Sequence, residues 1–421
     1  MRSAVACAWL IGIGLTACGA ENIDPTARPF SLTEVMDTVS PGVDAGPPAV
    51  HTLTAPVNLV AGGADYVIAS TSQGPYRLVG TDDPVEMDLV TSQSRTQMGP
   101  LVAVASRQVA QTEPATGIVA VSSSGVLQDF TDYFEVSPAS SAIPGTASAL
   151  DDNGSGDSEV LWVGIAGGVV RSNSGGSKQF TFDGQSNSPS AVLEVNATLA
   201  LVAFDHALYE LNYLDGTALL LPYDFGHVAA MARGNGGSAL LATDHGLYVR
   251  NGQGGYQAHL DHDANYGHIS GLTFDPINGA FFAAEGALLQ LANDGTLTTV
   301  GSLPDPGPHS LGLDGFGDVW VGSGSAVLQF HAGSPVTYTN QLKPFFAQNC
   351  YSCHVTGTQD NSPRLPLDDY NGTKGLVDTI IQRVSGAGGA PMPPPPPVGS
   401  GQLAPSQYGI IIRWARSGEQ P

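Results

Sequence analysis

The chain has 421 residues, room for two or three domains, and only 13% of them are charged. Its net charge is −23, with 38 acidic against 15 basic side chains. That argues against a nucleic-acid partner, which needs clustered lysine and arginine, and it would favour a basic protein partner over an anionic one if it does more than keep the chain soluble.

Residues 1–17 read as a signal peptide rather than as part of the fold. Arg2 supplies a positive charge, and Ala4 to Leu15 is apolar but too short for a stop-transfer helix. The stretch ends in Leu15-Thr16-Ala17-Cys18-Gly19, which resembles the lipobox of bacterial lipoproteins. The resemblance implies lipid on Cys18 and a place in the bacterial cell envelope, periplasmic or outer-membrane, with contact to the membrane through the lipid anchor only. An ordinary signal peptide with a chance cysteine is the competing reading. Residues 18–50, rich in proline, glycine, aspartate and alanine, read as a flexible tether.

Residues 51–339 contain a repeat. Apolar couplets follow small-residue turns at Gly74, Gly125, Gly168, Ala207, Gly246, Ala287 and Ala326, at intervals of 51, 43, 39, 39, 41 and 39 residues. A β-rich run precedes each, as in Leu161-Trp162-Val163-Gly164 and Val319-Trp320-Val321-Gly322. A period near 40 with alternating strands and tight turns predicts an all-β, seven-bladed propeller. The units resemble the loose W-V-G-x-x-G-L-x-R class of bacterial propeller repeats. A β-helix or paired sandwiches would need a shorter or less regular period. Two segments compete to complete the ring: Pro335 to Thr339 as the last outer strand, or His51 to Thr54 from the N-terminal side.

Two side-chain patterns in this region carry possible chemistry. His227, His268 and His309 are spaced by 41 and 41 residues at the entries to innermost strands, while His206 and His245 follow Asp205 and Asp244 in equivalent turns. Both turn classes open on one face of a propeller, so five histidines can ring one mouth of the channel and suit copper or zinc. A repeat copying its own consensus gives the same recurrence without function. Asp151 to Asp157 has oxygen side chains at alternate positions with a glycine sixth, as in a calcium loop, but Trp162 stands where the bidentate glutamate belongs. Asp261, Asp263 and Asn265 also alternate. Solvated turns are the plainer reading of both.

Residues 340–421 are organised around Cys350-Tyr351-Ser352-Cys353-His354, the C-x-x-C-H attachment signature of a c-type haem. Two thiols on the first turn of a helix reach the two vinyl groups of one porphyrin, and His354 is then held as proximal ligand. A redox dithiol is the alternative; a zinc site lacks its second ligand pair. After His354 the chain has no further histidine and one methionine, Met392, between Pro391 and Pro393, which elimination makes the sixth ligand. Helices are expected at Asn340 to Asn349, Lys374 to Val384 and Ser406 to Ser417, with Phe345, Phe346, Ile380, Ile381, Ile411 and Trp414 on their apolar faces. Together these features resemble a small, all-α class I cytochrome c domain, over about a fifth of the chain. The resemblance implies a proline carbonyl, from Pro363 or Pro366, behind the proximal imidazole. The run Pro393 to Pro397 departs from the family pattern by lengthening the methionine loop.

The expected molecule is thus multidomain: an exported, lipid-anchored protein with one covalent haem c. His/Met ligation closes the iron to substrates and favours single-electron transfer between envelope redox partners, with the propeller as docking platform. Two other readings stay open. The propeller is a metal-dependent redox enzyme feeding the haem from the histidine mouth, or the protein is a surface binding or sensing protein. No G-x-S-x-G or H-E-x-x-H motif marks a catalytic centre.

Overall fold

The computed structural model describes residues 40–41, 48–63, 66–78, 85–86, 100–107, 117–122, 127–129, 137–138, 147–152, 160–173, 176–261, 268–284, 286–305, 307–315, 317–331, 336–355, 366–384, 392, 410–411, 413–415 and 421. The calcium-loop positions 153–157, Asp263, Asn265, Cys18, Pro363 and the run Pro393 to Pro397 lie outside them.

Each repeat folds into one antiparallel sheet whose strands, the outermost of blade 7 excepted, follow in chain order from the axis outwards, as short turns dictate. Seven such sheets surround a channel of about 630 Å³. Their innermost strands lie at Val57–Gly62, Leu101–Arg107, Leu150–Asp152, Ala191–Asn196, Val228–Arg233, Gly271–Asp275 and Leu311–Leu313, defining blades 1 to 7. Small side chains such as Ala103, Ala149, Ala191 and Ala230 line the channel and let the strands converge.

Sheet faces then bury their apolar residues against the next blade. Leu240, Ala242 and Leu247 of blade 5 meet Leu272, Phe274 and Phe282 of blade 6. Phe281 and Leu288 of blade 6 meet Leu311, Val319 and Leu328 of blade 7. Trp320 and Val327 of blade 7 meet Val60, Val67 and Tyr76 of blade 1, so the ring closes. Each large side chain buried this way contributes roughly 1.5–3 kcal/mol.

The outer strand of blade 7 is Ala49–Thr52, paired antiparallel with Ala326–Phe330. Of the two closures open to the sequence, the N-terminal one is found. The other fails because Thr337 commits the chain to a helix: its side chain accepts from the Asn340 N–H, and a π-helical turn runs from Tyr338 to Leu342. A further short strand, Ser40–Pro41, lies parallel to Leu297–Ser302 on the rim of blade 6. Both N-terminal strands overlap the stretch read from sequence as tether.

Past the propeller come three short helices: α1 (Lys343–Asn349), α2 (Tyr370–Thr373) and α3 (Val377–Val384). Residues 410–411 and 413–415 are also helical. The helix expected over Lys374 to Val384 starts later, because Gly375 sits at φ +79° and separates α2 from α3. These helices share a core apart from the blades, built from Tyr338, Leu342, Phe346, Ile380, Ile411 and Trp414.

Candidate functional site

The Cys350–His354 segment lies beyond the end of α1, not on a first helical turn. Cys350 caps α1 with φ −128°, which breaks the helical backbone, and its N–H still donates to the Phe346 carbonyl. The segment then folds back on itself: the amides of Cys353 and His354 donate to the Cys350 carbonyl at 3.1 and 2.9 Å. The amide of Leu367 donates to the His354 carbonyl at 2.9 Å, tying the far side of the turn to the core.

Cys350 is buried in the helical core beside Phe346, while Cys353 and His354 are half-buried. No disulfide joins the two. Burial, with a smaller push from Cys353, raises the Cys350 thiol to about 11. Met392 is half-buried, and its amide donates to the Arg383 carbonyl in the last turn of α3 at 3.0 Å. The donor set fits a c-type haem: two thiols, an imidazole and a thioether on a segment with an apolar core.

The histidines of the propeller sit on the face that sequence spacing assigns them, but they do not form one ring of ligands. His309 turns inward and is 4% exposed, with its ring nitrogens 2.9 Å from the Gly322 carbonyl oxygen and 2.8 Å from that of Asp305. His206 and His227 flank Asp205 at 3.8 and 3.7 Å, and His268 pairs with Asp244 at 2.5 Å. The Nδ1 of His245 lies 3.1 Å from the Asp224 carbonyl oxygen. Among the described residues, no three histidine, cysteine or carboxylate side chains converge to hold a metal ion.

Asp151 is not a solvated turn residue. It is buried at the channel wall, where the Glu194 amide donates to it at 2.7 Å and the Arg233 guanidinium pairs with it. The Nε of Arg233 also donates to the Glu194 carbonyl at 2.7 Å, linking the innermost strands of blades 3, 4 and 5. Glu194 in turn accepts from the Trp162 indole at 2.5 Å and the Tyr213 hydroxyl at 3.2 Å. Sequence reasoning passed over this network and a second one, in which Arg250 and the Tyr256 hydroxyl both bond Glu210. The available signal was the arginine that recurs in third strands, as in Gly168-Val169-Val170-Arg171 and Gly246-Leu247-Tyr248-Val249-Arg250.

Among the described residues, no helix is long and apolar enough to cross a membrane. No protein-family model matches the chain, and no curated protein matches its sequence. Solved structures do match its shape. The WD40 repeats of RRP9 align with a TM-score of 0.52 at 10% identity, covering 68% of this chain and 99% of theirs. The extracellular domain of BT4673 from B. thetaiotaomicron aligns with a TM-score of 0.52 at 13% identity, covering 69% and 40%. Virginiamycin B lyase from Staphylococcus aureus aligns with a TM-score of 0.50 at 9% identity, covering 67% and 98%. At such identities the likeness concerns fold alone, and it establishes a β-propeller over about two-thirds of the chain.

Proposed function

We propose that this protein is an exported, lipid-anchored c-type cytochrome whose propeller serves as a docking platform for a redox partner. The observation that carries the reading is the C-x-x-C-H turn: two thiols and an imidazole gathered within five residues, with Cys350 set in an apolar core and no disulfide between the thiols. Cys350 and Cys353 would hold the haem through thioethers, and His354 and Met392 would be its axial ligands. Bound in that way, a haem supplies one-electron redox chemistry at an iron closed to substrate. The chain's own residues would do the rest. The hydrogen bond from Leu367 to the His354 carbonyl would hold the backbone of the imidazole ligand, and the bond from Met392 to Arg383 would hold that of the thioether ligand. Phe346, Ile380, Ile411 and Trp414 exclude water from the core.

The test is production with a cytochrome c maturation system, followed by ferric and ferrous absorption spectra of wild type and Met392→Ala. Covalently retained haem and a far-red methionine–iron band that Met392→Ala removes are expected. A high-spin ferric spectrum in the wild type would overturn electron transfer at a closed iron. Absence of covalent haem would overturn the whole reading.

A further inference from the structure

The C-terminal helical segment meets the propeller through a buried charge. Ile411 and Trp414 are fully buried in the helical core, yet Arg413, between them, reaches the other way. Its Nη1 lies 3.1 and 3.4 Å from the two carboxylate oxygens of Asp275, the last residue of blade 6's innermost strand. Both side chains are buried, at 6% and 1% exposure. The neighbouring turn of blade 7 adds Asp314 and Asp318, and the charge of Arg413 acts on Asp314. Gly317, at φ +84° in that turn, lies flat against the guanidinium; a Cβ there would stand 2.4 Å from its carbon.

Other bonds already fix the carboxylates. Asp275 accepts from the Ile277 amide at 3.1 Å and the Asn278 side chain at 2.5 Å. Asp314 accepts from the Trp320 indole at 2.9 Å and the Asp318 amide at 3.0 Å. Asp318 accepts from Gln329 at 2.7 Å and faces the His331 ring at 3.0 Å. The result is a preorganised acceptor, Asp275, beside a turn whose carboxylates are held by the propeller's own residues. A buried carboxylate cluster without a cation is costly, and so is a buried arginine without an anion. Each half therefore selects the other.

We infer that Asp275, with Gly317 of the blade 7 turn packed on the guanidinium, forms a socket for Arg413 that latches the C-terminal helical segment to the foot of blades 6 and 7 in one orientation. The socket lies in the turns that leave the innermost strands, opposite the face that carries His206, His227, His245 and His268. The latch therefore carries the Cys350–His354 turn in a fixed position and leaves the histidine face open. The inference goes beyond the haem reading and does not depend on it.

The test uses the full chain, with small-angle scattering and amide hydrogen exchange on wild type, Arg413→Ala and Gly317→Ala. Gly317→Ala keeps every charge and only fills the space that the guanidinium occupies. Both variants should show a longer maximum dimension, with protection of the Asp314–Asp318 turn falling about 100-fold, the loss expected for a broken buried ion pair. Millimolar guanidinium should restore Arg413→Ala but not Gly317→Ala. Unchanged dimension and protection in both variants would overturn the latch. So would an Arg413→Ala chain whose blades unfold while Gly317→Ala stays compact, because Arg413 would then be a residue of the propeller's own fold.

Discussion

At the scale of single residues, the strongest electrostatic feature is Asp314. Burial first, then the like charge of Asp318, lifts its carboxyl from 3.8 to about 7, against the opposing pull of the Trp320 bond, the Asp318 amide and Arg413. A carboxyl raised in the folded state holds a proton that the unfolded chain releases. Its contribution is fully present below the unfolded value and is lost as pH rises through the folded one. Unfolding free energy should therefore decline between about pH 4 and 7, with a slope of up to about 1.4 kcal/mol per pH unit from this group. Urea titrations of wild type and Asp314→Asn across that range check the point. The variant should be less stable at pH 5, since an amide nitrogen cannot accept the N–H that a carboxyl oxygen accepts, but its slope should be shallower. Parallel slopes would remove Asp314 as the titrating group. None of this was legible in sequence. The pairing of Arg413 with Asp275 spans 138 positions, so no local pattern announces it. The Cys350–His354 motif, by contrast, stands out in sequence because its five residues are adjacent.

At the scale of elements, alternating strands and tight turns were readable because they follow from local propensity and period. Their contacts with the next blade were not. Gly62 of blade 1 and Gly312 of blade 7 show what governs those contacts. A Cβ on Gly62 would lie 1.9 Å from the Leu313 carbonyl oxygen, and one on Gly312 would lie 2.9 Å from the Gly62 nitrogen. The two innermost strands meet backbone to backbone, so a methyl at either place must push the blades apart. Gly62→Ala should cost about 1–3 kcal/mol as an overpacking defect, whereas Gly216→Ala meets no atom within 4 Å and carries only the strain of φ +83°. Comparing urea midpoints tests this, and a Gly62→Ala midpoint equal to wild type would refute the close approach. The helices show the same division. Ile380, Ile411 and Trp414 fall on buried faces as their spacing requires, but the break before α3 rests on one glycine with positive φ.

At the scale of the whole molecule, the repeat predicts seven blades, but closing them into a ring joins chain positions that lie far apart. Two extended segments competed for one edge, and strand pairing between distant positions leaves no periodic trace that could rank them. The structure shows why Ala49–Thr52 wins. Its register places His51 opposite Val327, the His51 ring stacks on Trp320 with centroids 5.3 Å apart, and Leu53 enters the shared core of blades 7 and 1. Four cross-strand pairs at about 0.2–1 kcal/mol each, with one buried leucine at about 1.5–3 kcal/mol, make the closure worth roughly 2–7 kcal/mol. A chain lacking residues up to Leu53 should therefore lose that much unfolding free energy and expose Ala326–Phe330 as an apolar edge prone to self-association. Placing Val50→Pro at the Val50↔Leu328 pair of the intact chain separates the two effects. It weakens the strand without removing Leu53, so it should give a partial loss of stability with little aggregation. Equal urea midpoints for the truncated and intact chains would mean that contacts between blade faces alone close the ring, and the N-terminal strand would then be a passenger on it.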